Sequence, residues 1–211
     1  FQVIGDLKIR DIVQSVTFEV SVTATADSVL GSATAKVTRT QFDLQIPNVP
    51  GVANVSDDVT LDIKFTAPKV TGDASAAPTT VAEATVAPTV VPTVETTPEP
   101  TAAQDAAATT ASLYRMDTAG SKVSFTLTED LRGTPTTVVG ITDQVAGDIY
   151  VDFANPANSK MGVIRINART LETDQEFRNR AIRSRILQSA EDQYQFIDFT
   201  PTSITGLPDK V

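Results

Sequence analysis

Four arginines, Arg178, Arg180, Arg183 and Arg185, crowd into one short stretch, and such a cluster is the kind of group that could hold a phosphate or carboxylate. Their spacing argues for a plainer role. Asp174–Ser189 contains no Pro or Gly, and Phe177, Ala181 and either Ile182 or Ile186 fall on one side at 3.6 residues per turn. The segment is expected to form a short amphipathic helix with its arginines on the solvated face. Thr173 or Asp174 would cap it, with Glu176 in the first turn. The carboxylates promise less: Asp57-Asp58 and Glu191-Asp192 are adjacent pairs of the sort that stay solvated on loops, and no calcium-loop spacing occurs. The chain has neither His nor Cys, which removes disulfides, thiol nucleophiles, Cys/His zinc sites and every histidine-based triad. No catalytic role, cofactor or metal is expected.

The elements around the helix are β. Val16, Phe18, Val20 and Val22 alternate with polar neighbours, and Val59, Leu61, Ile63 and Phe65 repeat the pattern. Further on come Val123, Phe125 and Leu127, then Val145, Gly147, Ile149, Val151 and Phe153. Gly162, Ile164, Ile166 and Ala168 form another apolar set. Ile197 and Phe199 form the last, with Pro201 expected to limit how far that strand runs inside a sheet. Close to eight strands with one apolar face suit a closed antiparallel barrel, which removes exposed edges.

Between the β-rich stretches Phe1–Val70 and Leu113–Val211 lies Thr71–Ser112, built almost wholly from Ala, Thr, Val and Pro with no aromatic residue, Lys or Arg. It cannot bury enough apolar surface to offset the entropy of ordering its backbone, so a mobile, dispensable linker is expected. The net charge of −9 argues against nucleic acid, whose phosphates need a basic face. No apolar run approaches the length of a membrane-spanning helix. The triplet Asn54-Val55-Ser56 matches a glycosylation acceptor, a pattern that also arises often by chance.

Several segments resemble the YceI-like family, lipocalin-like isoprenoid-binding proteins of the bacterial cell envelope. Tyr114–Phe125 resembles the family's opening strand, with Gly120 where the family often has His. Val145–Phe153 resembles the next hairpin, and Ile164–Thr173 the strand leading into the helix. Arg178 and Asn179, followed by Ile182, Ser184 and Leu187, match the helix motif with Asn179 in place of Asp. Tyr194–Phe199 is similar to a Tyr-Pro-x-Ile-x-Phe strand with Gln195 in place of Pro. These make the first half of a family domain. The second half stands at the other end of the chain: Phe1–Arg10 and Val16–Val22 resemble the next two strands, Arg39–Asp43 the family's Arg-x-Asp-Phe-Gly segment, and Val55–Val59 the approach to the closing strand. The halves are therefore in swapped order, as in a fragment of a tandem protein or a circular permutant, and are expected to pair into one barrel. A monomer is expected, with a half-swapped dimer as its competitor.

The resemblance implies a non-catalytic carrier or store of a long-chain isoprenoid in an extracytoplasmic compartment. Its barrel interior would be lined by Phe18, Val20, Leu61, Ile63, Phe65, Val123, Phe125, Leu127, Ile149, Val151, Phe153, Ile164, Ile166, Ile197 and Phe199. The residues themselves leave open whether these side chains surround a ligand or simply fill a core, as in a structural or adhesive module on a stalk. The ligand's polar head, pyrophosphate or quinone, would sit at the mouth. Arg39 and Arg178 are the nearest matches to polar positions of the family there, able as guanidinium groups to pair with a phosphate or to hold helix, loop and barrel together.

Overall fold

The computed structural model describes residues 1–47, 51–71 and 111–208, so the expected linker lies outside the described residues except at its two ends. Phe1–Val70 and Thr110–Val211 form one compact unit. It is all-β, a strongly curled antiparallel sheet with one short helix. The first half of the chain supplies β1 (Gln2–Ile9), β2 (Ile12–Ala24), β3 (Ser28–Thr38), β4 (Val52–Ala53) and β5 (Asp58–Pro68). The second supplies β6 (Ser112–Arg115), β7 (Lys122–Leu131), β8 (Thr134–Thr142), β9 (Val145–Ala146), β10 (Asp148–Val151), β11 (Lys160–Met161), β12 (Ile164–Asn167) and β13 (Phe196–Thr205). The alternation seen in the sequence is kept: Val16, Phe18 and Val20 point inward from β2, and Val59, Ile63, Phe65 and Ala67 from β5, while the residues between them are more exposed.

Two seams join the halves. β1 pairs with β13 from Gln2–Thr205 to Lys8–Asp198, and β5 pairs with β7 from Thr60–Thr126 to Lys64–Lys122. β13 runs past Pro201 to Thr205, beyond the limit expected from the sequence. The register with β1 shifts between Ile4 and Gly5, so that Pro201 faces Gly5 at a bulge, where the ladder needs no N–H from it.

The expected closed barrel is not one continuous ladder: a strongly curled ten-stranded sheet is complemented by a small three-stranded sheet of β6, β10 and β11. At one end β5 meets β6 through a bridge between Lys69 and Tyr114, and the Val70 N–H donates to the Leu113 carbonyl at 2.9 Å. β6 pairs with β10, β9 with β12, and β12 with β13, which returns the ring to β1. At the other end β7 and β8 continue as a hairpin beyond β5, and β8 reaches the wall after β12 through a bridge from Ile141 to Glu172 and a bond between the Thr142 and Thr170 hydroxyls at 2.6 Å.

Helix α1 (Glu176–Ala181) and a π-helical turn, Ile182–Ile186, lie at this second end. They are shorter than the expected helix over Asp174–Ser189, and the N-cap is Gln175 with no side-chain bond. The Thr173 hydroxyl is engaged elsewhere, donating at 2.7 Å to the carboxamide oxygen of buried Asn179, which also accepts from the Thr173 N–H at 2.7 Å. Asn179 thus pins the strand that leads into the helix. Gly120 stands against β5, where an added Cβ would lie 2.8 Å from the Thr66 Cβ, so the His common in the family at this place has no room.

Because each half carries one edge of both seams, Phe1–Val70 and Leu113–Val211 expressed as separate chains are expected to co-purify as a one-to-one complex. Either alone would aggregate through its uncovered apolar face. Independent cooperative melting of the two pieces, with no binding between them, would contradict the paired architecture.

Candidate functional site

The barrel interior is divided. At the closed end Val3, Val20, Ala33, Phe65, Met116, Met161 and Ile164 leave a small gap of about 20 Å³ between them. Phe18 and Phe199 meet edge to face with ring centroids 4.9 Å apart and form a floor across the middle. Above that floor is an open-mouthed cavity of about 190 Å³. Its wall is made by Leu7 and Ile9 of β1, Val37 of β3, Val59, Leu61 and Ile63 of β5, and Val123, Phe125 and Leu127 of β7. Val138 of β8, Ile166 of β12 and Ile197 of β13 complete it. Phe42, Leu44, Ile46, Pro47, Val52 and Val55, from the segment between β3 and β5, form one side of the mouth, and Phe177, Ala181, Ile182 and Ile186 form the other. Leu61, Phe125 and Leu127 are half-buried although they point inward, because the space in front of them holds no side chain.

Of the interior residues expected from the sequence, Phe18, Leu61, Ile63, Val123, Phe125, Leu127, Ile166, Ile197 and Phe199 border this cavity. Val20, Phe65 and Ile164 belong to the packed end below the floor. Ile149, Val151 and Phe153 border neither space. Ile149 and Val151 belong to β10 of the small sheet and Phe153 follows it; Ile149 is core, and Phe153 packs edge to face on Tyr114 at 6.5 Å. The division has a simple cause: alternation tells which face of a strand is inside, but not how far up the barrel each residue stands.

Both arginines singled out for the mouth line the cavity, and both are engaged. Arg178 is not on a solvated helix face; its side chain is 11% exposed and reaches inward to Glu129 of β7, itself 6% exposed, at 2.6 Å. Its other terminal nitrogen donates to Asp174 at 2.5 Å. Arg39 spends one N–H from each nitrogen on a backbone carbonyl: Nε on Ser56 at 2.7 Å, Nη1 on Leu44 at 3.2 Å and Nη2 on Val55 at 3.0 Å. It thereby folds the apolar segment between β3 and β5 over the mouth. Beside it, Asp57 accepts from the Thr40 hydroxyl at 2.7 Å and the Thr40 N–H at 3.0 Å. The hydroxyl bond first, then the backbone bond and the Arg39 charge, hold its carboxyl below the usual aspartate range, against the opposing effect of desolvation.

Glu129 is not among the residues expected at the site, although Val123, Phe125 and Leu127 set a period of two that continues to 129. The contributions of Phe42, Leu44, Ile46 and Val55 had no such signal, because they come from irregular chain. Gly140 also shapes the site: it faces Phe125 across the β7–β8 pair, and an added Cβ would sit 2.1 Å from the ring's Cε1. Apart from Thr38, Ser124 and the Arg39, Arg178 and Glu129 groups the lining is hydrocarbon, an arrangement suited to holding an apolar chain rather than to bond-making chemistry.

A family model for the YceI-like domain matches residues 1–67 and 114–211, two segments on either side of the Ala/Thr/Pro/Val stretch. The chain belongs to the YceI-like family. Proteins of this family are associated with binding apolar ligands and are not known as enzymes. Searches of curated proteins and of solved structures returned no match.

Two outcomes are expected in this YceI-like domain. Glu129→Ala should cost about 1–3 kcal/mol in urea unfolding because it leaves a largely buried guanidinium with exposed Asp174 as its remaining carboxylate, whereas Glu129→Leu combined with Arg178→Met should cost less. Gly140→Ala should cost about 1–3 kcal/mol by pushing the Phe125 ring towards the cavity, and should lower the uptake of apolar probes measured on the same sample.

Proposed function

We propose that the protein is a non-catalytic carrier or store of a long-chain isoprenoid, or a lipid of similar shape, in the cell envelope. The observation that carries this reading is the open, hydrocarbon-lined cavity above the Phe18–Phe199 floor. A filled structural module would have side chains there, as the opposite end of the same barrel nearly does, with about 20 Å³ of space left. Membership of a family associated with apolar ligands supports it; the envelope is proposed from the resemblance described above alone.

The magnitudes fit a partly embedded chain. A dry cavity of ~150 Å³ holds a benzene ring, so about 190 Å³ takes one or two isoprene units. Each CH2 removed from water contributes about 0.8 kcal/mol. A longer tail would extend out between the Phe42–Val55 segment and α1, or displace the helix, whose attachment to the wall is the Arg178–Glu129 pair and an Arg10 donor to the Ile186 carbonyl at 3.2 Å. Among the described residues no helix is long and apolar enough to cross a membrane.

Solvent extraction of purified protein, followed by mass spectrometry, should yield prenyl lipid near unit stoichiometry. Titration of extracted protein with prenyl alcohols of increasing length should restore binding. Leu127→Trp, which fills the cavity from β7 without removing a core side chain, should weaken binding at least tenfold while leaving the melting temperature nearly unchanged. Absence of lipid together with no uptake of any prenyl alcohol would favour a ligand-free structural module instead.

A further inference from the structure

The groups at the mouth also restrict what the polar end of a ligand can be; this inference rests on the carrier reading above. We propose that the cavity accepts ligands whose polar end is uncharged, such as an alcohol, ketone, quinone, ester or amide, and discriminates against phosphate, pyrophosphate and carboxylate ends. The lining holds two cations, Arg39 and Arg178, and each is already committed. The Arg178 guanidinium stands between two carboxylates, Glu129 and Asp174, using a different terminal nitrogen for each. Its charge is neutralised before any ligand arrives. Glu129 is itself part of the lining and almost wholly buried, so an anion entering from the mouth would meet a fixed negative charge where little water is present to screen it.

Arg39 uses all three of its nitrogens to hold the carbonyls of Leu44, Val55 and Ser56. Turning towards a phosphate would release the segment that forms one side of the mouth. Asp57 stands close enough for the Arg39 charge to act on it. Each guanidinium of the lining thus has a carboxylate beside it, Glu129 and Asp174 for Arg178 and Asp57 for Arg39. A neutral oxygen makes no such demand. It carries no charge to be stripped of water: an alcohol end can donate to the Glu129 carboxylate, and a carbonyl or ester oxygen can accept one of the guanidinium N–H groups that the existing bonds leave over.

Isothermal titration of the extracted full-length chain with geraniol and with geranyl pyrophosphate tests this, since the two share one ten-carbon tail of about the cavity's capacity. Geraniol is expected to bind at least tenfold more tightly. In Glu129→Gln, which keeps an acceptor for Arg178 but removes the lining's negative charge, the ratio of the two affinities should fall at least threefold. Equal or tighter binding of the pyrophosphate would overturn the proposal while leaving the carrier reading intact. An unchanged ratio in Glu129→Gln would remove the lining carboxylate as its cause and overturn it also. Binding of neither compound would overturn both.

Discussion

Antiparallel pairing across the two seams, β1 with β13 and β5 with β7 and β6, is the interaction on which everything else in this protein rests. Each half of the chain is a set of strands with one apolar face and two open edges. Only when the edges meet is the apolar face enclosed and the backbone hydrogen bonding of both edges satisfied. The geometry of the seams also shows why swapped order is compatible with the fold. Gly206 lies against Phe1 beside the Gln2–Thr205 pair, and Val70 is bonded to Leu113, so at each junction the two chain segments meet side by side like the arms of a hairpin. Antiparallel neighbours do not need a particular covalent connection, and a long connection between adjacent ends adds only a slowly growing closure entropy.

The same pairing leaves one end of the barrel tight and the other loose. At the tight end β6, β9 and β10 bring the two ends of the sheet together around packed side chains. At the loose end β7 and β8 extend past β5, and the gap is crossed by a helical segment too short to be stable without its attachments. Arg178 ties this cap to the wall by reaching across to Glu129, and the pair borders the cavity. The buried ion pair, costly to desolvate, leaves its mark on the cavity's electrostatics.

Alternation of apolar and polar residues was enough to find the strands, their inward faces and the all-β class, because a side-chain period of two is a local property of the backbone. The swapped halves were legible as well, since each resembling segment carries its own pattern wherever it stands in the chain. The same rule reaches Glu129, whose charge masks its inward position. The periodic stretch predicts a longer helix than forms, and it leaves Arg178 between a solvated face and the mouth: a guanidinium on an amphipathic helix is ordinarily solvated, and only the position of Glu129 on another element turns it inward.

The sequence by itself determined which residues are inside, that two half-domains complement one another and that histidine and cysteine chemistry is excluded. Tertiary structure alone decided that Phe18 and Phe199 meet to make a floor, that Phe65 and Ile164 fill the barrel below it while Leu61 and Phe125 face open space, and that both arginines at the mouth are spent. The reason is one of range. Facing direction follows from the residues on either side, whereas height in the barrel, the meeting of rings from β2 and β13, and the partner of a charge depend on register between strands far apart in the chain.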